Sequence, residues 1–130
     1  MKRNDKDYRD KLSPEAYSVL REAGTERPFS GKYNDFWEGG IYSCGACGTD
    51  LFRSDAKFNA GCGWPSFFEP LTPDPLIYRA DYKYPGHPRV EVLCANCESH
   101  LGHVFEDGPP PTGKRYCMNS VALNFRAEKS

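Results

Sequence analysis

The sequence predicts a mainly β fold, in which two antiparallel sheets form a sandwich-like or barrel-like core with one short helix near the N-terminus. Three observations predict it. Short β-prone runs recur after Gly24, Pro- and Gly-rich turns separate these runs, and a single early segment spaces its apolar residues as a helix does. Regular turns between short strands are typical of antiparallel sandwiches and barrels. The chain has 130 residues, which fits one domain.

The helix is predicted to start after Ser13 and to stop before Gly24. Ser13 can cap the first turn, and Pro14 fits that turn because its missing N–H would be unpaired there. Val19 and Leu20 follow at helical spacing, and Gly24 is a natural stop. We expect this helix to be a structural cap on the core without a chemical role.

Five β-prone runs account for the predicted strands. They are residues 40–43, 51–53, 76–78, 89–93 and 120–125. In the fourth run Val90 and Val92 alternate with Arg89 and Glu91, which is typical of a strand with one solvent-exposed face. Clusters of proline and glycine between the later runs predict turns.

Charge and hydropathy exclude several classes of protein. The 17 Lys and Arg against 18 Asp and Glu give a net charge of −1, which does not favour binding to nucleic acid or to an anionic membrane. Residues 1–11 carry eight charges of mixed sign and predict a solvated tail ahead of a single domain at 12–130. No apolar run has the length of a secretory signal or a membrane span, so we expect a cytoplasmic protein. Structural disulfides are rare in that reducing compartment, so metal binding or redox chemistry better explains the six cysteines.

Four of the six cysteines form two C-x-x-C pairs, a pattern typical of tetrahedral zinc sites. They are Cys44, Cys47, Cys94 and Cys97. The 46 residues between the pairs exceed the spacing of a simple zinc ribbon, so the site would join distant parts of the chain. Four thiolates leave no open position for substrate, which predicts one structural Zn²⁺ rather than a catalytic ion. Two alternatives are a thioredoxin-like redox pair, which would need a strand–helix context, and two disulfides, which conflict with the compartment.

The other two cysteines, Cys62 and Cys117, lie in unusual surroundings. Cys62 is flanked by glycines and followed by Trp64, and Cys117 follows Lys114 and Arg115. Basic neighbours lower the pKa of a thiol by stabilising the thiolate, which is the nucleophilic form. Each thiol could equally be a small buried apolar side chain, the commoner role of a lone cysteine.

Two of the three histidines, His100 and His103, follow the second cysteine pair closely. Rigidly held imidazoles near a metal clamp can donate protons or orient a polar oxygen at neutral pH. They could alternatively extend a mixed Cys/His metal site, although four cysteines already fill one. His87, between Gly86 and Pro88, is interpreted as a surface residue.

Six motifs resemble methionine sulfoxide reductase B in their residues and order. They are Cys44-x-x-Cys47, Gly61-Cys62-Gly63-Trp64-Pro65-Ser66-Phe67, Cys94-x-x-Cys97, His100-Leu101-Gly102-His103-Val104-Phe105, Asp107-Gly108-Pro109 and Arg115-Tyr116-Cys117-Met118-Asn119-Ser120. The resemblance runs from about Leu12 to Phe125. It implies a β-sandwich-like core, a structural zinc distant from the active site, and reduction of the R epimer of methionine sulfoxide, mainly within proteins.

The same resemblance implies how the reaction proceeds. Cys117 would be the nucleophile and would become a sulfenic acid, and Cys62 would resolve it as a disulfide that thioredoxin reduces. We expect a monomer that acts on oxidised proteins, takes electrons from thioredoxin, and binds neither nucleic acid nor membranes.

Seven further residues are expected in the site on the same ground. They are His100, His103 and Asn119 near the sulfoxide oxygen, Trp64 and Phe67 against the substrate, and Asp107 and Arg115 as supporting residues. Of the last two, Asp107 would orient the histidines and Arg115 would favour the thiolate.

Two other classes of protein are consistent with part of the pattern. A zinc-ribbon module that binds RNA would use the four paired cysteines and aromatic residues, but would need a basic face that the composition lacks. A redox-sensing regulator would use Cys62 and Cys117 as a switch, but would need a partner-binding element that the sequence does not show.

Overall fold

The computed structural model describes residues 12–22, 24–27, 29, 31–34, 36–71, 75–81, 89–110 and 112–127. The tail predicted at 1–11 and the predicted surface residue His87 lie outside this part of the chain. Among the described residues no helix is long and apolar enough to cross a membrane.

The predicted helix is present as α1, Pro14–Glu22. Ser13 caps it as expected, because its hydroxyl accepts a hydrogen bond from the Ala16 N–H at 3.1 Å. The helix ends where the N–H of Gly24 donates to the carbonyl of Ser18 at 2.9 Å. Its buried side chains are Tyr17, Val19 and Leu20, which pack on the core.

In the described part of the chain, nine strands form two antiparallel sheets, which confirms the mainly β fold class. The strands are β1 (Gly40–Cys44), β2 (Asp50–Arg53), β3 (Lys57–Phe58), β4 (Ser66–Phe67), β5 (Leu76–Asp81), β6 (Arg89–Cys94), β7 (His100–Phe105), β8 (Arg115–Met118) and β9 (Leu123–Ala127). The three-stranded sheet has the order β2-β1-β9, and the six-stranded sheet has the order β3-β4-β8-β7-β6-β5. Every neighbouring pair is antiparallel.

Aromatic side chains from both sheets meet in the core between them. Phe52 of β2 stacks on Phe67 of β4 with ring centroids 4.4 Å apart and an interplanar angle of 14°. Tyr42 of β1 contacts the same Phe67 ring edge-on at 5.1 Å. All three side chains are fully buried, so the contact between the sheets rests on apolar packing that excludes water.

The predicted strand at 120–125 is only partly correct. Residues Ser120–Ala122 form a 3₁₀ helix, and β9 starts at Leu123. The turn is held by hydrogen bonds, from the N–H of Ala122 to the carbonyl of Asn119 at 3.0 Å and from the N–H of Val121 to the carboxylate of Glu26 at 3.0 Å. A partner distant in sequence therefore overrides the β propensity of this segment.

The predicted alternation along β6 is also only partly correct. Val92 is fully buried, whereas Val90 is 40% exposed although it lies on the same face. Burial along this strand increases toward Cys94, because the core covers only that end.

Strands β7 and β8 approach each other closely at Gly102. A Cβ atom built on Gly102 would lie 2.1 Å from the carbonyl oxygen of Cys117, which is far inside a normal contact. Any larger residue would push β8 away from β7. This glycine therefore fixes the depth at which Cys117 lies against its neighbouring strand.

Candidate active site and metal site

Three functional side chains form a row across the six-stranded sheet. Cys117 on β8 pairs directly with His103 on β7, and His103 pairs with Glu91 on β6. Residues that pair directly across antiparallel strands place their side chains on the same face. The row continues to Ser66 on β4, which pairs with Cys117 on its other side. Strand register therefore brings a thiol, an imidazole, a carboxylate and a hydroxyl to one surface.

A β-bulge adds His100 to the same face. Residues three apart in a regular strand point to opposite faces, so His100 and His103 should diverge. The register shifts between Val92, which pairs with Gly102, and Leu93, which pairs with His100. A bulge of this kind re-aims a side chain. As a result the two imidazole centroids lie 5.5 Å apart.

Each histidine is held by a carboxylate that the sequence analysis did not identify. His100 Nδ1 lies 2.7 Å from Glu91 Oε2, and His103 Nε2 lies 2.8 Å from Asp81 Oδ2. All four side chains are largely buried. Such a pairing fixes the orientation of each ring. The alternation along β5 and β6 was the available signal for both carboxylates, but it becomes useful only once the strand register is known.

Asp107 does not orient the histidines, and this part of the prediction is corrected. Its carboxylate makes a bidentate pair with Arg115, with Nε–Oδ1 at 2.9 Å and Nη2–Oδ2 at 3.2 Å. The pairing lowers the pKa of Asp107 and raises the pKa of Arg115. The guanidinium carbon of Arg115 also lies 4.4 Å from the centroid of the Phe105 ring. Asp107 therefore acts on the site through Arg115.

The two unpaired cysteines lie together as free thiols. Cys62 Sγ is 3.4 Å from Cys117 Sγ and 3.3 Å from the hydroxyl oxygen of Ser66. A disulfide needs the sulfurs at about 2.05 Å, so a small displacement would join them. Gly61 and Gly63 on either side of Cys62 have positive φ values of 69° and 94°, a backbone region that glycine adopts without strain. The glycines that flagged this segment in the sequence therefore shape the turn that presents Cys62.

The contact between the two thiols shifts their pKa values in opposite directions. The hydrogen bond from Cys117 is the main cause that lowers the pKa of Cys62 to about 5, helped by Ser66 and the charge of Arg115 and opposed by burial. The pKa of Cys117 is raised, first by its hydrogen bond with Cys62 and then by burial, although Arg115 acts to lower it. Arg115 therefore acts on Cys117 in the expected direction, but the contact with Cys62 and burial outweigh its effect.

A cavity of about 320 Å³ opens over the Cys117 face of the sheet. Its lining residues come from several strands and loops and are Thr25, Cys62, Trp64, Arg89, Gly102, His103, Phe105, Arg115, Cys117 and Asn119. A volume of this order accommodates a small side chain or a small ligand. The cavity therefore provides room for a substrate directly above the thiol pair.

Trp64 and Asn119 are held in the cavity wall by the same short segment. The indole N–H of Trp64 donates to the carbonyl of Glu26 at 3.0 Å, and the N–H of Glu26 donates to Asn119 Oδ1 at 3.0 Å. The side-chain amide of Asn119 also donates to the carbonyl of Leu101 at 3.0 Å. Both ends of the Asn119 amide are thus engaged, which fixes its orientation.

Three predicted site residues are absent from the lining of the cavity, namely Phe67, His100 and Asp107. Phe67 is fully buried and stacks on Phe52, because it neighbours Ser66 in β4 and alternate residues of a strand point to opposite faces. The expected contact of Phe67 with substrate is therefore corrected to a role in the core. His100 is 4% exposed and lies behind His103 rather than in the lining of the cavity.

The four paired cysteines form one cluster, as their spacing predicts. Their sulfurs all lie within 4.8 Å of one another, with Cys44–Cys97 at 3.7 Å and Cys47–Cys94 at 3.6 Å. Four thiolates arranged tetrahedrally at a Zn–S distance of about 2.3 Å would be separated by about 3.8 Å. The donor set and its spacing therefore fit a metal ion, and these four residues could hold one.

The cluster links the two sheets. Cys44 ends β1 and Cys94 ends β6, so one C-x-x-C turn lies in the β1–β2 hairpin and the other in the β6–β7 hairpin. Both turns have a positive φ at the residue after the second cysteine, 83° at Gly48 and 59° at Glu98. The same local conformation is thus used twice to aim two sulfurs at one point. Because β7 begins at His100, this cluster also fixes the start of the strand that carries both histidines.

A sequence model of the SelR domain matches residues 12–127. The chain is 52% identical over 129 residues to a protein of Methanosarcina barkeri, covering 99% of this chain and 90% of that protein. It is 54% identical over 123 residues to a protein of Agrobacterium fabrum, covering 95% and 90%. Identity to a protein of Pseudomonas putida is 55% over 120 residues, covering 92% and 91%. Each of these relatives is named peptide methionine sulfoxide reductase MsrB.

The chain belongs to the MsrB family. The likeness that the motifs indicated is therefore confirmed over the whole described domain. In this MsrB chain the structure assembles the predicted residues at two places, the thiol cavity and the four-cysteine cluster. Sequence reasoning missed Asp81, Glu91 and Ser66 at the first place, because each enters through strand register. It also missed Glu26, which enters through the loop that follows α1.

Proposed function

We propose that this protein reduces methionine sulfoxide to methionine, acting on the R epimer within oxidised proteins and less well on the free amino acid. The observation that carries the proposal is the thiol pair, with Cys62 and Cys117 sulfurs 3.4 Å apart on the floor of a cavity that His103 also lines. A sulfoxide reductase of this kind needs a nucleophilic thiol, a proton source and a second thiol within reach. The names and high identity of the relatives support the same reaction.

We assign the first attack to Cys117. It lies on β8 between β4 and β7, so its position is fixed by neighbours on both sides, and His103 is its direct cross-strand partner. Cys62 lies instead in a turn between two glycines of positive φ. A resolving thiol must move to close a bond, whereas a nucleophile benefits from a fixed position.

In the first half of the reaction, oxygen is transferred from the substrate to Cys117. The Cys117 sulfur attacks the sulfoxide sulfur as the oxygen is protonated, with His103 as the proton source. The hydroxyl then moves to the Cys117 sulfur: a new S–O bond forms there as the substrate S–O bond and the S–S bond made in the attack both break, which leaves Cys117 as a sulfenic acid. The substrate gains two electrons and departs as methionine, and Cys117 loses two electrons. Cys62, whose sulfur lies 3.4 Å from that of Cys117, takes the Cys117 proton as the attack begins.

In the second half, Cys62 returns the enzyme toward its reduced state. Cys62 attacks the sulfenic sulfur of Cys117 and gives up the proton that it took in the first half; the S–O bond breaks, and the hydroxide takes that proton and leaves as water. The resulting Cys62–Cys117 disulfide is reduced by thioredoxin, whose two thiols become a disulfide in exchange. The cycle therefore converts one sulfoxide and one reduced thioredoxin into methionine, water and oxidised thioredoxin.

Three residues of the cavity lining would contact the substrate. We assign Trp64 to the methyl group on the sulfur, and His103 and Asn119 to the sulfoxide oxygen. His100 acts on the oxygen side through His103, because its own ring is buried behind it. Arg115 holds negative charge at the thiol pair, and Asp107 holds Arg115.

We propose that the four-cysteine cluster binds one structural Zn²⁺. Four sulfurs complete the tetrahedral set and leave no position for substrate, so the ion would stabilise the fold and take no part in the reaction. Engaging these four thiols on metal also separates them from the two that react. Reactive thiols that cycle through a disulfide fit a monomer in the cytoplasm, where thioredoxin is reduced.

The decisive test is an assay with methionine R-sulfoxide and S-sulfoxide as separate substrates and thioredoxin as reductant. We expect turnover of the R epimer in a peptide, slower turnover of the free R amino acid, and none of the S epimer. Cys117→Ser should abolish reduction of the R-sulfoxide, and a Cys117→Ser protein that still reduces it would end the proposal.

A parallel experiment distinguishes a reductase from a redox-sensing regulator, since the close thiols would suit both. The mass of the Cys62–Cys117 disulfide peptide is followed after exposure to methionine R-sulfoxide or to hydrogen peroxide. The disulfide should form with the sulfoxide at a rate that peroxide at equal concentration does not match. Formation with peroxide alone would favour the sensor.

A further inference from the structure

Glu26 connects the two walls of the cavity without entering it. Its carbonyl accepts a hydrogen bond from the indole N–H of Trp64, and its N–H donates to the side-chain oxygen of Asn119, each at 3.0 Å. The residue itself is 8% exposed, and the residue before it, Thr25, lines the cavity. One peptide segment thus sets the separation between the apolar wall and the polar wall.

The side chain of Glu26 fixes that segment to the 3₁₀ helix Ser120–Ala122. Its Oε1 accepts a hydrogen bond from the N–H of Val121 at 3.0 Å, within the 3₁₀ helix that directly follows Asn119. The sequence distance is 95 residues, so this contact is a tertiary tie. Burial raises the pKa of Glu26, against the hydrogen bonds from Ser120 and Val121 that lower it. Burying a carboxyl costs free energy unless hydrogen bonds compensate for the lost water, and the bond from Val121 does so here.

The backbone at Gly31 packs closely against the carboxylate of Glu26 and leaves it little room to move. A Cβ atom built on Gly31 would lie 2.4 Å from the carboxylate of Glu26 and 2.2 Å from the hydroxyl of Ser120. The hydroxyl of Ser120 also accepts a hydrogen bond from the N–H of Tyr33 at 3.2 Å. The loop after α1 is therefore closed over this carboxyl and over the turn that it holds.

We propose that Glu26 is a positioning residue that sets the width of the substrate cavity between Trp64 and Asn119. This inference rests on the proposed reduction of methionine sulfoxide, for which the methyl group must meet Trp64 while the oxygen faces His103. The carboxyl fixes the loop through Val121, and the loop backbone then holds Trp64 through one hydrogen bond and Asn119 through another. Loss of the carboxyl releases both walls together and leaves the Cys62–Cys117 pair, which Glu26 does not touch, in place.

The variants for the test are Glu26→Ala, Glu26→Gln and, as a matched control, Glu69→Ala. Gln keeps an oxygen that can accept the hydrogen bond from Val121, whereas Ala leaves that N–H without its partner. Glu69 is an exposed carboxylate elsewhere on the surface. Circular dichroism and bound metal per chain verify that each variant is folded. Should Glu26→Ala fail to fold, Glu26→Asp, whose carboxyl is one methylene shorter, replaces it.

The kinetic readout is the division of the effect between KM and kcat for a peptide containing methionine R-sulfoxide. Glu26→Ala should raise KM by about tenfold, which corresponds to about 1.4 kcal/mol of lost binding. Its kcat should stay within about threefold of the wild type, because the thiols and His103 are not displaced. Glu26→Gln should restore KM to within about threefold, and Glu69→Ala should match the wild type. A folded Glu26→Ala protein with unchanged KM, or a Gln variant as impaired as Ala, would overturn the proposal.

A second readout needs no turnover and so separates this inference from the proposed reaction. In a Trp37→Phe background, Trp64 is the single tryptophan of the chain. Acrylamide quenching of its fluorescence should increase in Glu26→Ala and return in Glu26→Gln, because the indole N–H loses and regains a fixed acceptor. Equal quenching in all variants would overturn the positioning role. Altered quenching in a protein without sulfoxide reductase activity would instead keep the role and reject the proposed function.

Discussion

Cys117 and His103 are direct partners across strands β8 and β7, with Gly102 beside His103 allowing the two strands to approach closely. Asp81 lies behind His103 at 2.8 Å, on the far side from Cys117 in the sheet. A thiol on β8, an imidazole on β7 and a carboxylate on the edge strand β5 therefore lie together in one sheet. The arrangement places an imidazole next to the thiol that we expect to attack the substrate.

Replacement of Asp81 should reveal how far His103 depends on its carboxylate. In Asp81→Asn the ring loses its carboxylate partner, which loosens its fixed orientation. We expect turnover to fall by about 10- to 100-fold, which is part of the roughly 10²- to 10⁴-fold that general acid catalysis contributes. Glu91→Gln is the comparison, since it removes the partner of His100, which does not line the cavity. Steady-state kcat is the measurement, and an equal loss in both variants would contradict the special position of His103.

Replacement of Cys62 should stop the cycle after one turnover. Cys62→Ser removes the resolving thiol, so we expect about one methionine formed per chain when thioredoxin is the reductant. Rapid quenching with quantification of methionine measures this burst. Ser66→Ala, which keeps both thiols, should turn over repeatedly. Repeated turnover by Cys62→Ser would show that thioredoxin reduces the sulfenic acid directly.

The same Cys62→Ser variant should change the ionisation of Cys117. In the wild type the hydrogen bond with Cys62 is the main cause that raises the pKa of Cys117. Without that neighbour the pKa of Cys117 should fall, so its alkylation by iodoacetamide should become faster at pH 8. Mass spectrometry of the peptide that carries Cys117 follows the rate across pH. A rate unchanged from the wild type would show that burial alone suppresses the thiolate.

Removal of Arg115 should move the reactive pH range upward. Its charge lowers the pKa of Cys62, which is about 5, so Arg115→Gln should raise that pKa and shift the onset of alkylation at Cys62 to higher pH. We expect kcat/KM at pH 7 to fall by about tenfold. Asp107→Asn should produce a smaller shift in the same direction, because Arg115 keeps its charge but loses the pair that holds it. A shift toward lower pH in either variant would be contrary to this sign.

The four-cysteine cluster should control stability rather than chemistry. Cys94→Ser removes one of the four sulfurs, and we expect bound zinc to fall from one per chain to none and the thermal midpoint to fall by more than about 10 °C. Cys62→Ser serves as the control, since that thiol lies outside the cluster. Metal content and calorimetry are the measurements. Retention of full stability by a metal-free Cys94→Ser protein would exclude the structural role.

The early part of the fold and the metal cluster could be predicted because their signals are local. Ser13 and Gly24 mark the ends of α1 through capping, and these bounds are confirmed. The C-x-x-C pairs predict a shared cluster, because a short turn brings two sulfurs together whatever the rest of the fold does. The sequence does not distinguish strands β7 and β8 from loops, because His100, Gly102 and Arg115 have little intrinsic preference for a strand.

The sequence alone determined which side chains we propose for the chemistry: Cys62 and Cys117, two histidines and the four paired cysteines. Only the tertiary structure decided which partners control them. Strand register pairs Cys117 with His103, the bulge beside Leu93 turns His100 to the same face, and Asp81 and Glu91 rather than Asp107 hold the imidazoles. The physical reason is that the type of residue determines whether a side chain can react as a thiol or an imidazole. Hydrogen bonds and charge effects instead act over a few ångströms, between residues that are far apart in the chain.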